Sequence, residues 1–520
     1  MRIKAIAILF IAIIFSSSCA SILNPKYQKI EIQKEKGSKV LVNGEDPKLK
    51  KGQVALERNK KPKQITIIKE GKKDANFVVN SYKKSPLYIL SWIPFGIYGT
   101  FLLDNYPRSY NYDKILTVGK LESALILKPE GAKDIKINTV SLNIKPEDYK
   151  YRSINGYKSF KKKPNKVELE PFDTDEEIKI EESIFSHSLN ELLKNNGYID
   201  TTRNVLKNSF SNNLYINANV NKVSIHEIFT GYKNSVYNKG SFYYVDLNIE
   251  WEILDIYKET IYTQTTEVTS GEFAALGKSD SKEIDALRLA VDDGVELGLI
   301  KFINSEKVQE ALMDKSFEEE SNSFEELSIK NNNNYVSNLN EAVQSSVTIK
   351  HDKSHGSGFV IGSDGYILTN YHVINTANEN SRVVFNDKSE YEFEVVRSSK
   401  LYDLALVKVE KTNLMPFKMN MDKNIPIATD IYAVGTPTAQ DLSQTVSKGI
   451  ISGLRDYVNG SKLIQTDASI NGGNSGGALA TKNGLVFGVV SAKLKGIGIE
   501  GVAFGIPAYE VTDKLKLNIN

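Results

Sequence analysis

The sequence predicts a multidomain, largely β chain: a small β domain, then an α+β domain, then an all-β carboxy-terminal block shaped as a double β-barrel. Three observations predict it. Apolar and polar residues alternate from Tyr27 to Asn80; two stretches of helical spacing bracket alternating runs between Glu176 and Asp314; and beyond residue 336 short strands and glycine turns follow one another without a long helix. A chain of 520 residues, 41% hydrophobic and 25% charged, has core material for about three domains.

Charge and cysteine usage narrow the function classes. Lys and Arg number 66 against 64 Asp and Glu, a net charge of +2. A nucleic-acid partner, which demands a basic excess to displace counterions from phosphates, is not expected. Cys19 is the single cysteine and the five histidines show no ligand spacing, so neither a disulfide, a metal site nor any other cofactor is expected.

Residues 1–18 read as an export signal. Arg2 and Lys4 precede an apolar run from Ala5 to Phe15, followed by Ser16, Ser17, Ser18 and Cys19. The run falls short of the roughly 20 residues a spanning helix needs. The order of zones resembles a bacterial lipoprotein signal, with Ser16 where that signal usually has Leu. The resemblance implies acylation of Cys19 and an envelope location, in the outer membrane or periplasm, with the membrane contacted through lipid. An uncleaved anchor or an ordinary signal peptide is the alternative.

Residues 19–125 form the expected small β domain. Ile30-Glu31-Ile32, Val40-Leu41-Val42 and Ile65-Thr66-Ile67-Ile68 alternate, and Asn43-Gly44 and Glu70-Gly71 supply turns, which reads as an antiparallel sheet. The stretch Gly37-Ser38-Lys39-Val40-Leu41-Val42-Asn43-Gly44 with Ile67-Ile68-Lys69-Glu70-Gly71 resembles the PEGA-type β modules of bacterial surface proteins. Pro86 to Leu103 is apolar and aromatic, but Pro94, Gly96 and Gly99 interrupt any helix through it. It is expected to pack as a hairpin on the β domain, or to lie at the level of lipid headgroups.

Residues 175–315 read as an α+β domain of order helix, three strands, helix. Ile184, Phe185, Leu189, Leu192 and Leu193 mark the first helix, runs around Tyr215, Tyr243 and Tyr262 the strands, and about Lys282 to Phe302 the second helix. His187 and His226 stand alone here and are assigned no function. Residues 316–336, acidic and ending in four asparagines, read as a linker, too polar to offset the entropy of ordering.

Residues 337–520 carry the chemistry. Serine needs an imidazole to take its proton, a carboxylate to fix that imidazole, and backbone N–H groups for the oxyanion it creates. Gly473-Asn474-Ser475-Gly476-Gly477 fits a nucleophile turn, with Ser475 as attacker and the N–H groups of Gly473 and Ser475 as the oxyanion hole. His372 follows a strand, and Asp403 opens the run Leu404-Ala405-Leu406-Val407. Asp387 and Asp430 are rival carboxylates, but neither opens an apolar strand. His351 and His355 lie in a charged, glycine-bearing stretch and read as surface residues.

Gly356-Ser357-Gly358-Phe359-Val360-Ile361, Asp364-Gly365-Tyr366-Ile367-Leu368-Thr369-Asn370, Ile464-Gln465-Thr466-Asp467-Ala468 and Asn471-Gly472-Gly473-Asn474-Ser475-Gly476-Gly477-Ala478-Leu479 occur in order. Over about residues 345–512 the chain thereby resembles a trypsin-fold serine protease of the HtrA/Deg type. The resemblance implies His372, Asp403 and Ser475 as catalytic residues and protein or peptide substrates. It sets a primary pocket with its floor near Ser469 and walls from Ser491, Ala492 and Lys493 and around Gly501 to Gly505. An uncharged floor points to a small or medium apolar side chain before the cleaved bond.

Asn474 departs from the acid that digestive relatives use for zymogen activation, so control by loop rearrangement is expected instead. With the sequence ending at Asn520, no PDZ module is expected, and the front domains are candidates for its role. Trimers are common among HtrA relatives, which leaves a homo-oligomer open. The leading expectation is an envelope-anchored serine endopeptidase cutting exposed or misfolded segments through an acyl-enzyme. The rival is a binding or chaperone-like envelope lipoprotein with a latent protease domain, since more than half the chain lies outside that block and Gly472 stands where relatives often carry Pro or a charge.

Overall fold

The structure, a computed structural model, describes residues 24–47, 52–59, 61–79, 83–84, 110–142, 150–155, 169–171, 182–201, 212–229, 241–275, 280–314, 324–352, 354–436, 444–457, 460–491 and 502–519. The signal segment with Cys19 and the aromatic stretch Pro86 to Leu103 lie outside the described residues. No helix among the described residues is long and apolar enough to cross a membrane.

The small β domain is built of two three-stranded sheets. In one, Tyr27–Gln33 lies between Gln53–Glu57 and Ile115–Thr117; in the other, Lys63–Ile68 lies between Lys39–Val42 and Ala75–Val79. Alternation sends Ile30, Val40, Val54, Leu56, Ile65 and Ile67 into a shared core while the intervening lysines and glutamates face water. The antiparallel expectation needs one correction. Ile115–Thr117 runs parallel to Tyr27–Gln33, because the chain returns to this edge after a long excursion rather than through a tight turn.

The α+β domain has the expected helix Glu182–Asn195, strands Asn213–Phe229, Ser241–Leu254 and Thr260–Thr269, and helix Asp280–Ile303. It begins earlier than the expected boundary at 175. Asp134–Leu142 and Lys150–Asn155 both pair in parallel with Asn213–Phe229, the first along its beginning and the second along its end. A strand of 17 residues is long enough to take two partners on one edge. The helix Asp280–Ile303 lies close on the central strand because Gly294 and Gly298, one turn apart, remove the side chains between them. A Cβ on Gly298 would stand 3.0 Å from Ile249 Cδ1 and 3.1 Å from Trp251 Cζ2. Trp251, fully buried, donates its indole N–H to Thr266 Oγ1 at 2.8 Å and stacks on Phe302, so its one polar atom is satisfied inside the core.

The linker expected at 316–336 is corrected in its second half. Leu327–Ile329 forms a strand parallel to Leu517–Ile519, and Ile329 and Val336 are buried in the carboxy-terminal block. Asn331 closes the bridge: its Nδ2 donates to the Ile361 carbonyl and its Oδ1 accepts from the Ser363 N–H. Three alternating residues in an acidic stretch are enough once a neighbouring edge supplies the partner.

The carboxy-terminal block consists of two seven-stranded sheets. The second closes into a barrel, because Leu485–Ser491 pairs with Ala503–Pro507 as well as with Ala478–Ala480. The first runs from Glu390–Tyr391 to Phe393–Ser399. These edge strands adjoin in sequence, so the chain itself spans the remaining gap. Alternation here serves two buried faces. On Leu404–Val409, Ala405, Val407 and Val409 fill the first barrel, while Leu404 and Leu406 join Phe359, Phe417, Val434 and Val489 between the barrels. That shared core holds the two barrels against each other, and the Ser357 N–H donates across to the Ser475 carbonyl.

Candidate active site

His372 sits on the single turn of helix Tyr371–Ile374 that follows strand Tyr366–Thr369. Asp403 ends the turn leading into Leu404–Val409 and has a left-handed φ of 54°, uncommon for a residue other than glycine and a mark of functional sites. The turn brings the two side chains together. Asp403 accepts from His372 Nδ1 with both oxygens, at 2.9 and 2.8 Å, and from the His372 backbone N–H at 3.0 Å. Asn370 Nδ2 donates to the Asp403 carbonyl at 2.8 Å, and Ser491 Oγ reaches Asp403 Oδ2 at 3.4 Å from the second barrel. With Nδ1 so engaged, Nε2 is the imidazole nitrogen left for other chemistry.

Ser475 comes from the other barrel, in the turn before strand Ala478–Ala480. Two glycines give the turn its path. Gly473 has φ 92° and Gly476 φ 84°, and a Cβ on Gly476 would stand 2.3 Å from Thr369 Oγ1 and 3.1 Å from the Asn370 N. The serine turn is therefore pressed against the segment that leads into His372. Main-chain bonds fix it: Ser357 N–H donates to the Ser475 carbonyl, Gly476 N–H to Val490, Gly477 N–H to Asn474 and Asn474 N–H to Asn471. Among the described residues, the N–H groups of Gly473 and Ser475 donate to no protein acceptor, and the Ser475 hydroxyl makes no hydrogen bond. His372 and Asp403 are thus in direct contact, with Ser475 on the facing barrel.

Ser357 is a residue whose part was not legible in its motif. Its N–H holds Ser475, its Oγ donates to the Gly473 carbonyl at 2.7 Å and accepts from the Thr436 N–H at 2.8 Å, and its carbonyl accepts from Thr369 Oγ1 at 2.7 Å. One buried hydroxyl on a first-barrel strand thereby orients the serine turn of the second. A polar residue between two glycines in an otherwise apolar strand was the available signal.

The surface reading of His351 and His355 is corrected. His351 is buried, its Nδ1 on Ser381 Oγ at 2.8 Å and its Nε2 on the Val373 carbonyl at 2.6 Å. Burial holds its pKa below the usual histidine value, against a smaller upward pull from the Val373 carbonyl. It braces the helix bearing His372 from behind. His355 is half-buried, contacts the Thr436 carbonyl at 3.1 Å, and lies where a Cβ on Gly473 would stand 2.6 Å from its Nε2. The surface expectation fails because Lys350 and Asp352 reach solvent while His351 between them turns inward, and because His355 opens a strand that lies against Gly473 and Thr436. His187 is exposed. His226 is buried, bonded to Asp246 at 2.6 Å and stacked on Tyr244.

The rival carboxylates are engaged elsewhere. Asp387 accepts from the N–H and hydroxyl of Ser389 and from Lys411, which lower its pKa to about 2, and Asp430 pairs with Lys448 at 2.9 Å. Of the pocket positions, Ser469 is exposed with its carbonyl accepting from Ser447 Oγ, and Ser491 is buried beside Asp403. Ala492 and Lys493 lie outside the described residues.

A family model described as a trypsin-like peptidase domain matches residues 356–489. Among curated proteins, the chain is 39% identical over 162 residues to the magnetosome formation protease MamE of Paramagnetospirillum magneticum, covering 29% of this chain and 22% of that one. It is 35% identical over 201 residues to a serine protease HtrA-like of Staphylococcus epidermidis, covering 33% and 34%. It is 40% identical over 171 residues to a probable periplasmic serine endoprotease DegP-like of Pseudomonas putida, covering 32% and 35%. The chain thus spans about a fifth to a third of the length of these relatives, and the residues matched by the family model include His372, Asp403 and Ser475. The carboxy-terminal block of this chain is therefore a trypsin-like peptidase domain, similar to those of HtrA-like and DegP-like serine proteases.

Proposed function

We propose that this protein is a serine endopeptidase of the cell envelope that cleaves exposed or misfolded protein segments through an acyl-enzyme. The observation that carries the reading is the grip of Asp403 on His372 Nδ1, which fixes the tautomer whose Nε2 is a base. In this reading Ser475 Oγ attacks the carbonyl of the substrate while His372 Nε2 takes its proton. The negative charge that forms on the carbonyl oxygen is met by the N–H groups of Gly473 and Ser475, which donate to no acceptor among the described residues. His372 then gives its proton to the departing amine, and water, deprotonated by the same nitrogen, releases the acyl group.

The uncharged Ser469 supports a small or medium apolar side chain before the scissile bond. A relative named periplasmic supports an envelope location, and the lipoprotein-like signal supports attachment through an acylated Cys19. Purified protein treated with a fluorophosphonate is expected to carry the adduct on Ser475 and, untreated, to cleave casein. Absence of both would overturn the reading. Fatty-acid labelling that persists in Cys19→Ala would overturn the anchor.

A further inference from the structure

The turn joining strands Ser241–Leu254 and Thr260–Thr269 leaves the α+β domain and ends against the peptidase domain. It is a rigid turn. Asp255, almost fully buried, accepts with Oδ1 from the N–H groups of Tyr257 and Glu259, and the Asp255 N–H donates to the Glu259 carbonyl. Lys258 takes a left-handed φ of 69° and lies over the ring of Tyr215 in its own domain. Such bonds define the path of the turn and the placement of its tip residues.

What the tip touches is specific. The Tyr257 hydroxyl donates to the Lys400 carbonyl at 2.6 Å, its ring meets Tyr371 edge to face at 4.9 Å, and its carbonyl accepts from Asn375 Nδ2 at 3.4 Å. Glu259 accepts from the Tyr371 hydroxyl at 2.7 Å and pairs with Lys400. Tyr257, Tyr371 and Leu401 are buried together, with Ile256 and Tyr402 packed around them. Tyr371 precedes His372, and residues 400–402 precede Asp403. The two short segments that carry the imidazole and the carboxylate are thus clamped by one turn from another domain.

We propose that Tyr257 and Glu259 are positioning residues for the His372–Asp403 pair, and that the α+β domain supports catalysis through this turn. The proposal rests on the peptidase reading above. The dyad depends on an unusual backbone at Asp403 and on a helix of a single turn, neither of which is stable alone. A misplacement of the base by about 1 Å is enough to cost up to roughly 100-fold in rate. A contact made to both segments at once resists that displacement.

The test uses the full chain and follows phosphonylation of Ser475 by a fluorophosphonate as a function of probe concentration. Tyr257→Ala and Glu259→Ala are expected to lower the limiting rate by about 10-fold to 100-fold, with little change in the half-saturating concentration. Glu259→Gln, which keeps an acceptor for the Tyr371 hydroxyl, retains more of the rate. The exchanged pair Glu259→Lys with Lys400→Glu restores part of what either change alone removes. Glu267→Ala, on the solvent side of the same hairpin, serves as the unaffected control. Limiting rates equal to wild type in both alanine variants would overturn the proposal.

Hydrogen exchange of the same proteins separates this idea from the peptidase reading. Loss of protection confined to residues 371–375 and 400–404 in Tyr257→Ala supports the clamp even if the wild-type chain takes up no probe, in which case the peptidase reading alone falls. Unchanged protection there overturns the clamp whatever the activity.

Discussion

The two walls of the candidate site are held in different ways. The serine turn is fixed by main-chain bonds and by Ser357, all within the peptidase domain and close to glycines that let backbone meet backbone. The His372 and Asp403 segments hold each other, but behind them stand a buried histidine and a turn from a domain more than a hundred residues earlier in the chain. One wall is self-contained, whereas the other leans on its neighbour. The serine wall should therefore respond to changes in backbone geometry, and the histidine wall to the state of the front of the molecule.

The largest effect expected from breaking this arrangement is at the carboxylate. Asp403→Asn keeps the size of the side chain but favours the wrong imidazole tautomer, and casein cleavage should fall by about 10⁴-fold with the fold intact by circular dichroism. On the other wall, Gly473→Ala places a Cβ 2.2 Å from the Thr436 carbonyl on a backbone with φ 92°. The turn must shift, and with it the N–H proposed for the oxyanion, so a loss of about 10²-fold to 10³-fold in kcat is expected. A Gly473→Ala chain that cleaves casein as well as wild type would remove the oxyanion assignment.

Ser357→Ala comes next in size. It strips a donor from the Gly473 carbonyl and an acceptor from the Thr436 N–H, both in a buried setting. Leaving such groups unpaired costs about 1–3 kcal/mol each, enough to lower the melting temperature by several degrees in a calorimetric scan. Because the lost contacts are to the serine wall alone, exchange protection of residues 371–375 should not change. A loss on both walls would mean that they are not independent.

This division also explains what the sequence alone could tell. His372, Asp403 and Ser475 stand out because each lies in a short contiguous stretch whose chemistry is local: a strand end, a strand start, a glycine turn. Ser357 stood inside a recognisable stretch, yet its role depends on Gly473 and Thr436, which lie far away in sequence. Residues 255–259 carry no motif, and nothing local marks Tyr257 as an interdomain side chain. His351 departs from its surface expectation for the complementary reason, since Lys350 and Asp352 beside it are surface charges, while the strand end aims the imidazole at Val373. Leu327–Ile329 needed the edge of Leu517–Ile519 to become a strand. In each case the missing information was the partner, not the residue.

The smallest effect expected is an acid sensitivity of one wall and not the other. Burial lowers the pKa of His351 in the folded protein from an ordinary 6.5. For a group depressed on folding, its contribution is present above the unfolded value and is lost as pH falls below it, because the unfolded chain then binds a proton that the folded one resists. Glu259 behaves alike in a lower window. Burial opposes its ionisation, but Lys400 and the Tyr371 hydroxyl outweigh that and hold its pKa below the ordinary 4.5, so the dock it makes weakens only as pH falls beneath that value. Both groups stand behind His372, and neither touches the turn around Ser475. Hydrogen exchange, corrected for its intrinsic pH dependence, should therefore show residues 371–375 losing protection first below pH 6.5 and again below 4.5, while residues 473–477 change little. His351→Gln should erase the first step and leave the second. Equal loss on both walls in the upper window would show that the imidazole braces the whole site rather than the helix it contacts.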